Sequence, residues 1–349
     1  MTFDSVVDGD LFVLETTRRN RNFKVIRKMS RSYFVKQVLR WEPQALATLQ
    51  REAGCYWLVQ NDPSLRALAD LLPKCYAFDA SKHILILELL QSGESLADFH
   101  RRTREFPTSY AEALAAALGS YHGGLGEDFA TTQKPGLFPK NPPWILSVHQ
   151  QQPAWLSALG AASSELLQVV KKYPEFPRRL DELREQWRYD SLIHGDMKWD
   201  NCIVQKVDGE LRFKVVDWEL ADIGDSLWDV GAILQSYISD WILSMPTTEG
   251  MSAEQMLTKA ARPLEEMQPS IQAFWDTYVK SLKIPRESRR DKLQRAVQYG
   301  AARMIQTAFE AMTYATQVSP GALYLLQASL NVLERPGEAI DQLFGIREG

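Results

Sequence analysis

The segment from Ile193 to Asn201 carries residue types that can act together on a phosphate group. Asp196 is followed by Lys198 two residues later and by Asn201 five residues later, and a second acidic motif contains Asp217. In phosphoryl transfer a carboxylate accepts the proton of the attacking hydroxyl, while an Asn and an Asp hold Mg²⁺ against the nucleotide phosphates. This spacing also occurs in ordinary polar loops, so the interpretation depends on the rest of the chain.

These residues predict a division of roles. Asp196 is the candidate catalytic base. Asn201 and Asp217 offer the oxygen ligands that Mg²⁺ prefers.

A further cationic group stands upstream in a predicted strand. Lys36 interrupts the mostly apolar run from Tyr33 to Val38, and a lysine at a buried strand position needs an acidic partner. Glu52, on a predicted helix that starts at Pro43, is the candidate partner. Such a pair would aim the ammonium group at the α- and β-phosphates of a nucleotide. The alternative is an exposed lysine on an edge strand.

The elements that would hold these residues fall into two parts. Hydrophobic patterns predict strands at Leu11–Leu14, Phe23–Ile26, Tyr33–Val38 and Ile84–Leu87, with the helix from Pro43 among them. Beyond residue 91 helical periodicity dominates. Asp208-Gly209 signals a hairpin between the two polar motifs, which places both motifs on loops held by regular elements.

Composition excludes several other classes of protein. The 349 residues are 45% hydrophobic and 24% charged, and the net charge of −4 argues against nucleic acid as a partner. Cys55, Cys75 and Cys202 are too widely spaced for a disulfide framework or a zinc site, which fits a cytoplasmic protein. The longest apolar run, Ile84–Leu90, is interrupted by Glu88, so we expect no membrane span.

Taken together, the motifs resemble those of the aminoglycoside phosphotransferase/choline kinase group, relatives of the protein kinases. The matching segments are Val35-Lys36, Glu52, Leu87–Leu90, His194-Gly195-Asp196 with Asn201, Asp217-Trp218-Glu219, and Gly224-Asp225 with Asp229-Val230-Gly231. The resemblance spans roughly residues 12–333. It implies an α+β, bilobal protein-kinase-like fold, with a small antiparallel sheet in residues 1–90 and a larger, mainly helical lobe in residues 91–349. It also implies a kinase that uses ATP and Mg²⁺.

The resemblance further implies which residues surround the nucleotide. Glu88 and Leu90 would lie in the hinge whose backbone reaches the adenine edge. Ile203 would form the floor of the adenine pocket and Phe34 its roof, although both could also serve simply as core residues. Asp229 would accept hydrogen bonds from the backbone of the catalytic loop. Lys198 stands where many small-molecule members carry His or another residue, and a Lys two residues after the catalytic Asp is typical of protein kinases, where it contacts the γ-phosphate. Lys198→Ala should therefore lower kcat more than it raises the KM for ATP.

The predicted phosphate loop departs from the family pattern. Residues 16–22 contain no glycine but include Arg19 and Arg21. These arginines could replace backbone contacts with charge and bidentate hydrogen bonds, in which case Arg19→Ala and Arg21→Ala raise the KM for ATP. The alternative is a solvated basic hairpin tip.

The acceptor is the least determined part of the prediction. Basic residues crowd one helical segment, at Lys280, Lys283, Arg286, Arg289, Arg290, Lys292 and Arg295. This segment is either a solvated face or a dock for an acidic partner. Together with Lys198 it favours Ser/Thr of a leader-bearing peptide, phosphorylated alongside a partner lyase, as in the stand-alone kinases of lanthipeptide-type pathways that the chain resembles. The alternatives are a small-molecule kinase, acting on an amino alcohol, a sugar or an aminoglycoside, and a non-catalytic pseudokinase.

Overall fold

The computed structural model describes residues 11–16, 20–28, 30–39, 41–124, 138–151, 160–207, 209–246 and 253–347. Its strands are β1 (Leu11–Glu15), β2 (Arg21–Arg27), β3 (Tyr33–Gln37), β4 (Cys75–Asp79), β5 (Ile84–Glu88), β6 (Glu94–Ser95), β7 (Ser191–Ile193), β8 (Cys202–Val207), β9 (Glu210–Val215) and β10 (Asp222–Gly224). Its α-helices are α1 (Pro43–Asn61), α2 (Arg66–Ala69), α3 (Leu96–Thr103), α4 (Thr108–Gly124), α5 (Ala161–Lys172), α6 (Glu175–Glu185), α7 (Leu227–Leu243), α8 (Ala253–Thr258), α9 (Leu264–Ser281), α10 (Arg286–Ala311), α11 (Pro320–Glu334) and α12 (Pro336–Glu338). Short 3₁₀ segments occupy Pro63–Leu65, Trp144–Gln150, Trp199–Asn201 and Trp218–Leu220, and a π-helical turn occupies Ala339–Leu343.

The first part of the chain forms a five-stranded antiparallel sheet in the order β1-β2-β3-β5-β4. Strand β3 lies in the middle, where Lys36 pairs in register with Leu85 and Phe34 with Leu87. Helix α1 begins at Pro43, a favourable first helical position for proline. Because Glu52 belongs to the buried face of α1, the helix presents a carboxylate to the centre of the sheet.

Two antiparallel strand pairs bring the polar motifs together in the second part. The β8–β9 hairpin, in which Cys202 pairs with Val215, joins the end of one motif to the start of the other. The β7–β10 pair, in which Ile193 lies opposite Asp222, closes the same region from the other side. The loops that follow β7 and β9 therefore lie side by side.

The remainder is mainly helical, and the predicted α+β class is confirmed. Helices α7 and α10 cross at two glycines. A Cβ on Gly231 would lie 2.4 Å from the carbonyl oxygen of Ala296, and a Cβ on Gly300 would lie 2.9 Å from that of Gly231. The two helices therefore approach more closely than side chains would permit. No described helix combines the length and the apolar character needed to cross a membrane.

Candidate active site

Helix α7 holds the backbone of the loop that carries Asp196. The buried carboxylate of Asp229 accepts hydrogen bonds from the backbone nitrogens of His194 (2.7 Å) and Gly195 (3.1 Å). Gly195 has φ = 80°, and a Cβ there would lie 2.3 Å from the carbonyl oxygen of Leu220, so only glycine fits. The expected contact between Asp229 and this backbone is present.

His194 links this loop to the loop after β9. Its Nε2 donates to the carbonyl oxygen of Val216 (2.9 Å), and its Nδ1 accepts from the backbone nitrogen of Asp196 (3.2 Å). Both ring nitrogens are thereby used in structural hydrogen bonds, which makes His194 an orienting residue.

The carboxylate of Asp196 lies between two cations. Lys198 Nζ is 2.7 Å from Oδ2, and Arg303 Nη2 is 2.9 Å from Oδ1. Asn201 Nδ2 donates to the main-chain oxygen of Asp196 (2.9 Å). Burial alone would raise the pKa of Asp196, but Arg303 and Lys198 hold it below its usual range. The structure thus brings together the three predicted residues Asp196, Lys198 and Asn201.

A second ionic cluster surrounds the ammonium group of Lys36. Its Nζ lies 2.7 Å from Glu52, 2.5 Å from Asp217 and 3.1 Å from Glu219. Burial by itself would lower the pKa of Lys36, but the three carboxylates together raise it above its usual range. Burial raises the pKa of Glu52 to about 7, although Lys36 opposes that change. The expected partnership of Lys36 and Glu52 is present, and Lys36 also connects the sheet to the second acidic motif.

The donor set beside this cluster fits a divalent cation. Because the amide nitrogen of Asn201 donates to Asp196, the amide oxygen of Asn201 is left as a ligand atom. Asp217 adopts a left-handed backbone (φ = 68°), and its side chain is 39% exposed toward solvent. Carboxylate oxygens of Glu52, Asp217 and Glu219 all lie within 4.8 Å of one another. Hard oxygen donors of this kind suit Mg²⁺.

The residues predicted to surround the adenine lie where β5 leaves the sheet. Glu88 ends β5 and Leu90 follows in the connection to the second part. Ile203 on β8 contacts this connection closely, since a Cβ on Gly93 would lie 2.5 Å from its Cγ2. Phe34 is half-buried on β3, two residues before Lys36 and therefore on the same face of the strand.

Among the described residues of the β1–β2 turn, Asn20 reaches the site. Arg19 lies outside the described residues. Arg21 pairs with Glu15 at 3.3 Å, stacks over Phe23 at 5.4 Å and is about half exposed, so it does not join the Lys36 cluster. Buried Asn20 instead donates to Glu219 (3.3 Å).

The basic segment does not form a continuous patch. Arg295 is buried and lies 3.2 Å from Asp225, while Arg290 lies 3.2 Å from Asp341. The exposed members are Lys280, Lys283 and Arg286, near the junction of α9 and α10. The acidic-partner dock therefore retains only part of its predicted charge.

Sequence reasoning missed two residues of the site, Arg303 and Asn20. Arg303 stands in the run Gly300-Ala301-Ala302-Arg303-Met304-Ile305, where a single charge interrupts small and apolar residues. Such a charge in a buried helix needs a partner, and this signal could have identified it. Asn20 carries no comparable signal because asparagine is common in turns.

Fold and site together define a phosphotransferase with a protein-kinase-like architecture. The chain belongs to the phosphotransferase enzyme family (APH), whose model matches residues 13–264. It is accordingly an ATP-dependent kinase that acts on a hydroxyl group. A search of the curated proteins found no match.

Solved structures show the same fold at low sequence identity. A microcompartment-associated aminopropanol kinase is 15% identical (TM-score 0.56), with 99% of this chain and 98% of that chain covered. A choline kinase from Cryptosporidium parvum Iowa II is 13% identical (TM-score 0.54), with 97% and 92% covered. An amicoumacin kinase, solved with AMP-PNP, Ca²⁺ and Ami, is also 13% identical (TM-score 0.52), with 97% and 94% covered.

Proposed function

We propose that the protein transfers the γ-phosphate of Mg²⁺-bound ATP to the hydroxyl group of a small molecule, with Asp196 as the general base. The observation that supports this proposal is the single site formed by Asp196, Asn201 and Asp217, to which Lys36 connects from the sheet. These groups come from two separate parts of the chain, and an ordinary polar loop would not assemble them.

The base is positioned to receive a proton at one oxygen. The acceptor oxygen attacks the γ-phosphorus as the bond between that phosphorus and the β,γ-bridging oxygen of ATP breaks, and the hydroxyl proton passes to Asp196. Lys198, which pairs with Oδ2 in this structure, has a 30% exposed side chain and can extend toward the γ-phosphate. That movement would leave Oδ2 to the acceptor hydroxyl.

The nucleotide side of the site supplies charge and geometry. Lys36, held by Glu52, would contact the α- and β-phosphates. Asn201 and Asp217 would hold Mg²⁺, which when bound neutralises charge on the phosphate oxygens. Phe34, Glu88, Leu90 and Ile203 would enclose the adenine, in line with their places around the connection after β5.

A small acceptor has the better support. The structural neighbours with the same fold include kinases named for choline and aminopropanol, both of them small hydroxyl compounds. Burial by itself would lower the pKa of Lys198, but the negative charges of Asp196 and Glu310 raise it above its usual value. Glu310 lies at the exposed end of α10. Both signs of charge therefore lie near the proposed base, which suits a compact polar acceptor.

A peptide acceptor is the second candidate. The exposed residues Lys280, Lys283 and Arg286 favour an acidic leader segment docked at the start of α10. Arg286 and Arg303 are 17 residues apart on one helix, which corresponds to roughly 25 Å. A leader would thus have to bind well away from the base, and its binding would weaken as salt rises.

The test is ADP formation from ATP and Mg²⁺, with mass detection of the phosphorylated product. The panel comprises choline and other amino alcohols, sugars, aminoglycosides, and Ser/Thr peptides with and without acidic leaders. A product with a small hydroxyl compound is the expected result. A product with leader peptides alone would overturn the small-molecule proposal, and AMP-PNP binding without any product would favour a pseudokinase.

A further inference from the structure

Arg303 is the most deeply buried cation of the site. Its side chain is 1% exposed, and its Nη2 lies 2.9 Å from Asp196 Oδ1. Its Nε and Nη1 are also buried and have no hydrogen-bond partner among the residues that the structure describes. Asp196 is therefore its one charged partner in that part of the chain, and the ring of Trp228 lies 5.8 Å from the guanidinium carbon.

The helix crossing explains how an arginine so far along the chain reaches the loop. Arg303 follows Gly300 by three residues, so both lie on the same face of α10. Gly300 contacts Gly231, which lies two residues after Asp229 on α7. Two helices in close contact thus position one loop. Asp229 accepts hydrogen bonds from the backbone of this loop, and Arg303 contacts the carboxylate of Asp196 within it.

Trp228 contacts both the loop backbone and Arg303. Its indole Nε1 donates to the carbonyl oxygen of Gly195 (3.0 Å), while its ring faces the Arg303 guanidinium. The backbone of the loop and the cation that holds Asp196 are therefore fixed by the same side chain.

A contribution to stability is a weak explanation for this arrangement. Removing a guanidinium from water carries a large desolvation penalty, and a buried ion pair often stabilises a protein no better than apolar residues of similar size. Two of the three Arg303 nitrogens also have no hydrogen-bond partner among the described residues, a poor arrangement for stability alone. The contact between Arg303 and Asp196 instead fixes the direction of the Asp196 carboxylate.

Lys198 and Arg303 differ in how far their side chains are exposed. It contacts the other oxygen of Asp196 from a side chain that is 30% exposed, against 1% for Arg303. Lys198 can leave Oδ2 without opening the core, whereas Arg303 cannot leave Oδ1.

We propose that Arg303 is a positioning residue for phosphoryl transfer, which holds Asp196 Oδ1 so that Oδ2 alone is presented to the acceptor hydroxyl. The inference rests on the proposed role of Asp196 as base. It adds a residue outside the polar motifs, 107 positions from the carboxylate that it directs.

The test compares Arg303→Met and Arg303→Lys with Arg295→Met as a matched control. Arg295 is a second buried arginine of α10, paired with Asp225 outside the site. Kinetics use the acceptor found in the panel, or water where none is found. Arg303→Met should lower kcat about 100-fold, as expected for a misplaced base, with the KM for ATP changed less than about twofold. Arg303→Lys should recover part of kcat, and Arg295→Met should leave kcat within about twofold of the wild type while lowering the melting temperature.

Crystal structures of the wild type and Arg303→Met with AMP-PNP give a readout that needs no turnover. We expect one Asp196 rotamer in the wild type and a displaced carboxylate in the variant. If Arg303→Met does not fold, Arg303→Lys takes its place in both measurements. An unmoved Asp196, or a kcat within about threefold of wild type, overturns the inference. A wild type that forms no ADP refutes the proposed function instead, and the Asp196 rotamer then decides the role of Arg303.

Discussion

Two ionic clusters lie next to each other in this site, and they carry opposite excess charge. The carboxylate-rich cluster sets one lysine, Lys36, against the three carboxylates of Glu52, Asp217 and Glu219. The cation-rich cluster sets one carboxylate, Asp196, against Lys198 and Arg303. With all groups ionised, the first therefore has two negative charges in excess and the second has one positive charge in excess.

This difference matches the two ends of a metal–nucleotide complex. A divalent cation would be attracted to the carboxylate-rich cluster, where oxygens of Glu52, Asp217 and Glu219 lie within 4.8 Å of one another. The terminal phosphate would be attracted to the cation-rich cluster, where the side chain of Lys198 is 30% exposed. Each cluster thus lacks the charge that the ligand would bring.

The largest effect is expected from Asp196→Asn. The amide can still accept a hydrogen bond from Arg303 but cannot take up a proton, so kcat should fall about 10²- to 10⁴-fold. Binding of AMP-PNP, measured by calorimetry, should change little because the carboxylate-rich cluster is intact. Turnover within a few-fold of wild type would remove Asp196 from the role of base.

Asp217→Asn tests the carboxylate-rich cluster. Removing this charge should raise the Mg²⁺ concentration that gives half-maximal ADP formation by about 100-fold, since even outer partners of metal ligands are worth 10- to 100-fold. Asp200→Asn is the matched control, because Asp200 is an exposed carboxylate one residue before Asn201. Equal Mg²⁺ dependence in the two variants would contradict the assignment of Asp217 as a ligand.

Lys198→Ala removes the more exposed cation of the cation-rich cluster. We expect kcat to fall about 10- to 100-fold and the KM for ATP to rise less, because the contact with the γ-phosphate strengthens as charge develops in the transition state. Steady-state kinetics over a range of ATP concentrations separate the two parameters. A raised KM with an unchanged kcat would make Lys198 a ground-state ligand only.

The β1–β2 turn provides a smaller test of the same comparison. Asn20→Ala removes the hydrogen bond to Glu219 and should raise the KM for ATP a few-fold, in keeping with about 1 kcal/mol for one hydrogen bond. Arg21→Ala should change it less, because Arg21 pairs with Glu15 at the surface. A larger effect of Arg21→Ala would restore the arginine-loop hypothesis made from the sequence.

Local pattern was sufficient for the part of the site that lies on regular elements. The strand run around Lys36 and the helix from Pro43 predicted the Lys36–Glu52 pair, and the hairpin signal at Asp208-Gly209 predicted that β8 and β9 would join the two motifs. The five-residue strand β4 was missed. The short strands β6, β7 and β10 were missed because two or three residues give no usable periodicity.

Tertiary contacts decided the rest. Arg303 meets Asp196 only because α7 and α10 cross at two glycines, and no local pattern encodes that crossing. The basic segment looked continuous in sequence, but folding directs Arg295 into the core and Arg290 toward Asp341. Charge counted along a helix therefore overstated the charge available on the surface.

His100 offers the contrasting case in which burial acts without a compensating charge. It stacks on Phe106 at 4.6 Å and lies 4.5 Å from Trp199, and its Nδ1 donates to the carbonyl oxygen of Glu105 (2.6 Å). Burial lowers the pKa of His100 to about 4. Unfolded His100 titrates near 6.5, so the unfolded state binds more protons between these values and stability falls as pH drops through that window. From pH 7 to pH 5 the loss should be about 2 kcal/mol.

His100→Asn is the matched variant for this loss, because its amide can donate to the same carbonyl but does not titrate. Urea unfolding of both proteins at pH 7 and pH 5 gives a double difference from which the other titrating groups cancel. We expect the wild type to lose about 2 kcal/mol more than His100→Asn, with little difference in ADP formation at pH 7. Equal losses would mean that the pKa of His100 is not lowered in the folded state. A group interacting with the protonated ring would then offset the effect of burial, as the opposite charges do in the two ionic clusters.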